Sequence, residues 1–309
     1  MTELQKNVGS FLDDCRYMKG LSDKTLKAYT IDLQQFSEFC FNKSWSEKEI
    51  LEKYIVDLYI KYKPKTAKRK IACLKAFFRY LENNERILSS PFHRIVIKRR
   101  EPLVLPKIIP VQILTKMLEK AYVKYSEIGH SDCFYKFTIR DIAVMELLFA
   151  TGARVYELCN LKVDDVNLKE KWIKVYGKGS KERYIQLTNK DVISVLKQYQ
   201  KEYVCEINKT GHYFINNRGD KISEQSIRFM VNKYAKLVDA NLHITPHMFR
   251  HTVATLLLEE GVDIRYIQEF LGHSSITTTQ IYTHISLNAQ KRIFEKKHPR
   301  NKFKVNTEI

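Results

Sequence analysis

The sequence predicts a mainly α protein of two helical bodies, the second of them carrying one β-hairpin. Three observations lead there. Apolar residues recur at helical spacing through most of both halves of the 309-residue chain. A proline-rich, basic and aperiodic stretch interrupts that pattern between residues 97 and 107. One segment, on either side of Gly177, has the β-branched and aromatic character of paired strands.

In the first body, Leu4, Val8, Phe11, Leu12 and Cys15 share one face of a helix that Gly20 ends. Ser22 caps a second helix, on which Leu26, Tyr29, Leu33, Phe36 and Cys40 align. A third runs from near Ser46 to Tyr62 and is stopped by Pro64. The fourth begins near Lys65 and turns Ile71, Leu74, Phe78 and Leu81 inward. Its other face carries Lys68, Lys75 and Arg79, with small Ala72 between them. Such a basic stripe can approach a DNA groove closely, the alternative being a solvated charged face. The neighbouring Lys61, Lys63, Lys65, Arg69 and Lys70 favour nucleic acid. Ser89-Ser-Pro closes this body, giving a first domain of residues 1–96, a linker over 97–107 and a second domain of 108–309.

Helical patterning resumes from Val111 to about Tyr125, and a strongly apolar helix covers Ile139 to Phe149. Thr151-Gly-Ala-Arg follows: a glycine break, then a helix whose first turn carries Arg154. Glu157 is placed three residues on, within reach of that guanidinium. Trp172 to Tyr176 and Tyr184 to Leu187 then flank Gly177-Lys-Gly-Ser-Lys-Glu-Arg, a hairpin with a glycine-rich cationic tip. The tip lacks the Gly-x-x-x-x-Gly-Lys-[Ser/Thr] pattern and leads into a strand, so it is no nucleotide-phosphate loop and ATP use has no support. Tyr213 to Gly219 reads as an extended stretch and turn, and Ile227, Val231, Tyr234 and Val238 mark a further amphipathic helix.

Composition bounds the function. The 53 Lys and Arg exceed the 35 Asp and Glu by 18, spread over both halves, which points to a polyanionic partner such as nucleic acid. No run of about 18 apolar residues exists, and Met1-Thr-Glu-Leu-Gln-Lys lacks the apolar core of a secretory signal, so a cytoplasmic protein without membrane contact is expected. The six cysteines, Cys15, Cys40, Cys73, Cys133, Cys159 and Cys205, contain no Cys-x-x-Cys pair and read as reduced core residues.

The densest chemistry lies near the C-terminus. Thr245-Pro-His-Met-Phe-Arg-His-Thr opens a helix with Pro246 in its first turn and places His247 and Arg250 on one face. Gly272 breaks the chain before His273, and Tyr282 follows a Ser/Thr-rich turn. Cationic groups beside a phenol suit phosphoryl transfer with a protein nucleophile. His247 and His251 also stand at metal-ligand spacing, but a central glutamate and a third ligand are missing, so no metal is expected.

At this point the sequence resembles the tyrosine recombinase (phage integrase) family, and within it the Xer-like site-specific recombinases. The resemblance rests on Ala150-Thr-Gly-Ala-Arg-Val-Tyr-Glu-Leu, Gly177-Lys-Gly-Ser-Lys-Glu-Arg, His247-Met-Phe-Arg-His-Thr, Leu271-Gly-His-Ser and Thr278-Thr-Gln-Ile-Tyr-Thr-His. Ser22-Asp-Lys-Thr-Leu-Lys-Ala-Tyr and Lys297-His-Pro-Arg extend it to both ends of the chain. It implies a helical, SAM-like core-binding domain and a mostly α catalytic domain with a small antiparallel sheet, clamped together on DNA.

The same resemblance implies roles. Tyr282 attacks the scissile phosphate to give a 3′-phosphotyrosyl intermediate, and Arg154, Arg250 and His273 hold the non-bridging oxygens. Lys178 protonates the leaving 5′-oxygen, His247 assists proton movement at the nucleophile, and Glu157 braces Arg154. No metal, nucleotide or other cofactor is implied. The implied partners are double-stranded DNA, further copies of the chain as dimers and tetramers, and in some systems a second recombinase. Leu287 to Phe294 resembles the tail that Xer-like protomers donate to a neighbour, although such a stretch can equally fold back in cis.

Two departures from the pattern stand out. Tyr122 to Phe137 is longer than in the compact Xer arrangement, and no arm-binding domain precedes the first helix, unlike lambda-like integrases. The competing readings are a type IB topoisomerase-like enzyme that only relaxes DNA and a non-catalytic DNA-binding regulator on the same fold. The exchange tail speaks against the first, and the six residues Arg154, Lys178, His247, Arg250, His273 and Tyr282 against the second.

Overall fold

A computed structural model of the protein describes residues 2–97, 107–129, 133–177, 182–272 and 294–302. The chain divides into two compact units, Met1–Val104 and Leu105–Ile309.

In the first unit, α1 (Glu3–Asp13) starts at Thr2, whose side chain and that of Gln5 form a reciprocal capping box. It runs into a π-turn over Asp14–Met18 and ends at Gly20, whose φ of +57° lies in the left-handed region that glycine enters at little cost. The remaining helices are α2 (Asp23–Phe39), capped by Ser22, α3 (Lys48–Lys61) and α4 (Pro64–Asn83). Pro64 does not merely stop α3. It occupies the first turn of α4, where its missing N–H costs nothing. Phe11, Leu33, Phe36, Phe77 and Phe78 are fully buried, with Phe11 and Phe77 edge-on at 5.5 Å between ring centroids.

This core encloses a charge network. Asp32 of α2 is buried and is ion-paired to Arg69 and to Lys70, whose Nζ lies 2.8 Å from Asp32 Oδ1 and 2.6 Å from Gln35 Oε1. Lys70 is itself buried, so it contributes nothing to the basic exterior that its position beside Lys68 suggested. The physical reason is periodicity: Lys70 falls on the face of α4 that also carries Ala67, Cys73, Leu74 and Phe77, and Asp32 makes its burial tolerable. Lys68, Ala72, Lys75 and Arg79 are exposed.

The second unit is built around α6 (Cys133–Thr151), packed by α5 (Val111–Glu127) and by three later elements, α8 (Lys190–Glu202), α10 (Glu224–Leu237) and α11 (Pro246–Glu259). Between Ile139 and Phe149 almost every side chain of α6 is buried, including Glu146. After α6 come α7 (Val155–Cys159) and a three-stranded antiparallel sheet, β1 (Val166–Asn167), β2 (Trp172–Tyr176) and β3 (Glu182–Gln186), in that spatial order. The pairing runs from Trp172↔Gln186 to Tyr176↔Glu182, which puts Ile173, Val175 and Ile185 on the core side. The hairpin is therefore tighter than the sequence suggested. Glu182 and Arg183 belong to β3, not to the tip.

Helices α8, α9 (Val204–Thr210) and α12 (Ile264–Leu271) complete the unit. Tyr213 to Gly219 forms one isolated bridge, Ile215↔Lys221, and a turn in place of a strand. Cys15, Cys40, Cys73 and Cys159 are buried as expected, whereas Cys205 is exposed on α9.

The segment 294–302 packs onto this same unit. The rings of Phe294 and Phe270 lie 4.5 Å apart, and Lys297 Nζ donates to the Glu260 carbonyl at 2.7 Å. Arg300, fully buried, donates from Nε and Nη2 to the two carboxylate oxygens of Glu146, each at 2.7 Å, and Tyr122 Oη donates to Glu146 at 2.9 Å. Phe294, the last residue of the stretch read as a donated tail, thus packs in cis; Leu287 and the rest of that stretch lie outside the described residues.

Candidate active site

Arg154 stands where three backbone decisions meet. Gly152 ends α6 at φ +56°, and a Cβ there would come within 2.6 Å of a Leu271 methyl. Thr151 Oγ1 donates to the Leu147 carbonyl and accepts from Ala153 N, holding the turn. Arg154 is the N-cap of α7, one position before the first turn in which the sequence placed it. Glu157 accepts both from the Arg154 backbone N–H at 2.9 Å and from its Nη1 at 2.8 Å. The expected brace is therefore present, as a carboxylate at the third helical position turned back to the cap.

Arg250 reaches the same place from α11. It is buried, and donates from Nη1 to the Gly152 carbonyl at 2.9 Å and from Nη2 to the Leu271 carbonyl at 2.6 Å. Arg154 Nη2 donates to the next carbonyl, that of Gly272, at 3.0 Å. A third arginine completes the series: Arg183 Nε donates to the Phe270 carbonyl at 2.9 Å. The last carbonyls of a helix have no partner within it and form the negative end of its dipole, so three successive ones draw three guanidinium groups together.

The charges follow from this crowding. Burial, and after it the charge of Arg154, push the Arg250 pKa down to about 9, opposed by Glu157; it remains protonated at neutral pH. Burial alone would raise the Glu157 pKa, but Arg183 and then Arg154 outweigh it and keep the carboxylate below its ordinary value. Three cations around one anion leave a positive excess. Only Arg154, its side chain about one-third exposed at 34%, opens appreciably to solvent, against 12% for Arg183. Such an arrangement can receive an anion through one accessible guanidinium.

His247 is exposed on the first turn of α11, one turn ahead of Arg250. His251, on the same helix, has its pKa lowered by burial and by His247 and Arg250, so it is neutral at pH 7. Lys178, His273 and Tyr282 lie outside the described residues. His273 does, however, directly follow Gly272, whose carbonyl Arg154 holds. Lys68, Lys75 and Arg79 belong to the other unit. Sequence reasoning missed Arg183 by assigning it to the hairpin tip; its two-residue spacing from Ile185 is the signal that places it inward. Among the described residues no group of His, Cys, Asp and Glu is arranged to hold a metal ion, and no helix is long and apolar enough to cross a membrane.

With this geometry in view, comparison with known proteins is specific. The phage integrase family profile matches residues 121–288, and that of the N-terminal SAM-like domain of phage integrases matches residues 9–87. A tyrosine recombinase of Agathobacter rectalis is 50% identical over 98% of this chain and 99% of its own length. Tyrosine recombinase XerC of Thermodesulfovibrio yellowstonii is 39% identical over 98% of this chain and 99% of its own. Among solved structures, the XerH site-specific recombinase bound to its difH substrate, in a pre-cleavage complex, shares the fold. The TM-score is 0.66 at 24% identity, over 92% of this chain and 82% of that one.

Proposed function

We propose, from the premise that this chain belongs to the phage integrase family and is an Xer-like tyrosine recombinase, that it cleaves and rejoins duplex DNA through a 3′-phosphotyrosyl intermediate. In this reading the Tyr282 oxygen attacks the scissile phosphorus and the bond to the 5′-oxygen breaks. Lys178 gives that oxygen its proton, and His247 takes up the proton of the phenol. Arg154, Arg250 and His273 offset the charge on the non-bridging oxygens. The 5′-hydroxyl of another strand then attacks the phosphotyrosine, so the ester bond is conserved and neither nucleotide nor metal nor other cofactor is consumed.

The observation that carries this reading is the convergence of Arg154 and Arg250, from two separate helices, on the carbonyls of Gly272 and Leu271, immediately before His273. In the proposed division of labour, residues 1–96 are the core-binding domain, 97–107 the linker and 108–309 the catalytic domain. Dimers and tetramers assemble on the DNA, in chromosome dimer resolution or in movement of a mobile element.

A nicked suicide duplex carrying the target site tests the chemistry. The wild-type chain should accumulate a covalent protein–DNA adduct, and Tyr282→Phe should form none while binding DNA as before. An adduct formed by the variant would remove Tyr282 as nucleophile. Joint products favour recombination, whereas relaxed DNA without them favours a topoisomerase-like activity. In the core-binding unit, replacing Lys68, Lys75 and Arg79 by Ala should weaken binding and flatten the slope of log K against log salt by about 2 to 3, at roughly 0.9 per phosphate contact. An unchanged slope would return this face of α4 to ordinary solvated charge.

A further inference from the structure

Arg183 is the residue at this site to which neither the motif chemistry nor the reaction just described gives a task. Each of its three side-chain nitrogens is engaged. Nη1 and Nη2 donate to Glu157 Oε1 and Oε2 at 3.1 and 2.7 Å, a two-pronged fork onto one carboxylate, and Nε donates to the Phe270 carbonyl.

Arg154 is in turn fixed at two points, by Glu157 at Nη1 and by the Gly272 carbonyl at Nη2. Arg183 holds both of these supports: it grips Glu157 directly, and it grips the α12 end two residues before Gly272. Its guanidinium also lies against the bare Cα of Gly272. A Cβ there would stand 2.9 Å from Arg183 Nη1 and 3.3 Å from its Cδ and Cζ. Glycine at 272 therefore does two things: it turns the chain at φ +66° and leaves room for Arg183.

We propose that Arg183 is a positioning residue for strand cleavage, taking no phosphate itself and acting through Glu157 and the C-terminal end of α12 to hold Arg154 on the scissile phosphate. This rests on the recombinase reading above. The electrostatics agree with it. Glu157 is buried, and the groups facing it are Arg154 from its own helix, Arg183 from β3 and Arg250 from α11. Without Arg183 the burial of that carboxylate is offset less, its pKa rises, and its protonated form can no longer accept from both Arg154 donors.

The test is single-turnover adduct formation on the suicide duplex by the full chain carrying Arg183→Gln, Arg183→Lys, Glu157→Gln or the Arg183→Gln/Glu157→Gln pair. Arg183→Gln should be slower by about 10- to 100-fold, the usual cost of losing a group that orients a reacting one. DNA affinity should stay within about twofold, since no phosphate contact is lost. Arg183→Lys, which keeps the charge but not the fork, should recover part of the rate. Arg183→Gln should cost less in the Glu157→Gln background than it does alone, because the two changes share one of the supports. The Arg183→Gln deficit relative to the wild type should also widen as pH is lowered, because Glu157 protonates more readily without Arg183.

On a methylphosphonate substrate, whose scissile group lacks the charge that Arg154 offsets, the Arg183→Gln deficit should shrink to less than about threefold. A wild-type rate in Arg183→Gln overturns the proposal. So does a deficit equal on both substrates and independent of pH, which is what a merely structural role produces, or a loss of DNA affinity that matches the loss of rate. Poor folding of Arg183→Gln leaves the decision to Arg183→Lys and the pH profile of Glu157→Gln, of which the first should be partly active and the second parallel to that of the wild type. Failure of the wild type to form any adduct is a different result, removing the recombinase reading and this proposal with it.

Discussion

Arg250→Ala should lower the rate of adduct formation by about 10²- to 10³-fold, the cost typical of removing one preorganised donor from developing negative charge. Arg250 is buried with its charge, against the cost of desolvation and the repulsion of Arg154, and is held by two carbonyls instead of a carboxylate of its own. Such an arrangement gives little net stability and suits a cation awaiting an anion. The same substitution leaves the Gly152 and Leu271 carbonyls without their donor, so melting should be recorded in parallel; each lost partner costs about 1–3 kcal/mol. Arg250→Lys separates the two effects. It keeps the charge but cannot span both carbonyls, and should retain an intermediate rate. If Arg250→Ala cleaves within about threefold of the wild type, below the effect of any lost oxyanion donor, Arg250 has no part in the reaction.

The second large effect concerns stability. Glu146→Ala should cost about 3–5 kcal/mol, because it strands Arg300 in the core without its carboxylate. Arg300 donates twice to Glu146, and the Asp191 carboxylate lies 3.7 Å away. For a unit of this size each kcal/mol moves the melting temperature by about 2–4 °C, so a fall of roughly 10 °C is expected. Replacing the pair together, Glu146→Leu with Arg300→Met, should recover most of the loss, since a packed apolar pair needs no compensation of charge. A change below about 1 kcal/mol for Glu146→Ala would show that the 294–302 segment is not anchored through this pair. His298, which burial pushes down to about 4 and so keeps neutral at pH 7, sits in the same anchor.

Much of the first unit is legible in the sequence because its helices are amphipathic and carry local stop signals. Gly20, Ser22 and Pro64 act within a turn of where they stand, and one apolar face per helix suffices to orient it. The chemistry-bearing motifs are equally legible, since Arg154 with Glu157, and His247 with Arg250, are three-residue relations that any helix realises. What failed were positions whose environment comes from far along the chain. Lys70 reads as surface charge until Asp32, 38 residues earlier, is placed beside it. Arg183 reads as part of a cationic loop until Glu157, 26 residues earlier, takes it into the inward face of β3. Arg300 stands in the sequence only as the last residue of Lys297-His-Pro-Arg until Glu146, 154 residues earlier, receives it in the core.

The sequence by itself therefore determined the two mainly helical bodies, the hairpin, the proximity of Glu157 to Arg154, and the place of His247 and Arg250 on one helix. Only the tertiary structure decided that the end of α12 gathers three arginines, that one of them is Arg183, and that the 294–302 segment packs onto its own unit through Phe294 and Arg300. The physical reason is that periodicity and capping are properties of neighbouring residues. The burial of a charge is decided by its counter-charge, and here that partner is brought in by chain folding from dozens of residues away.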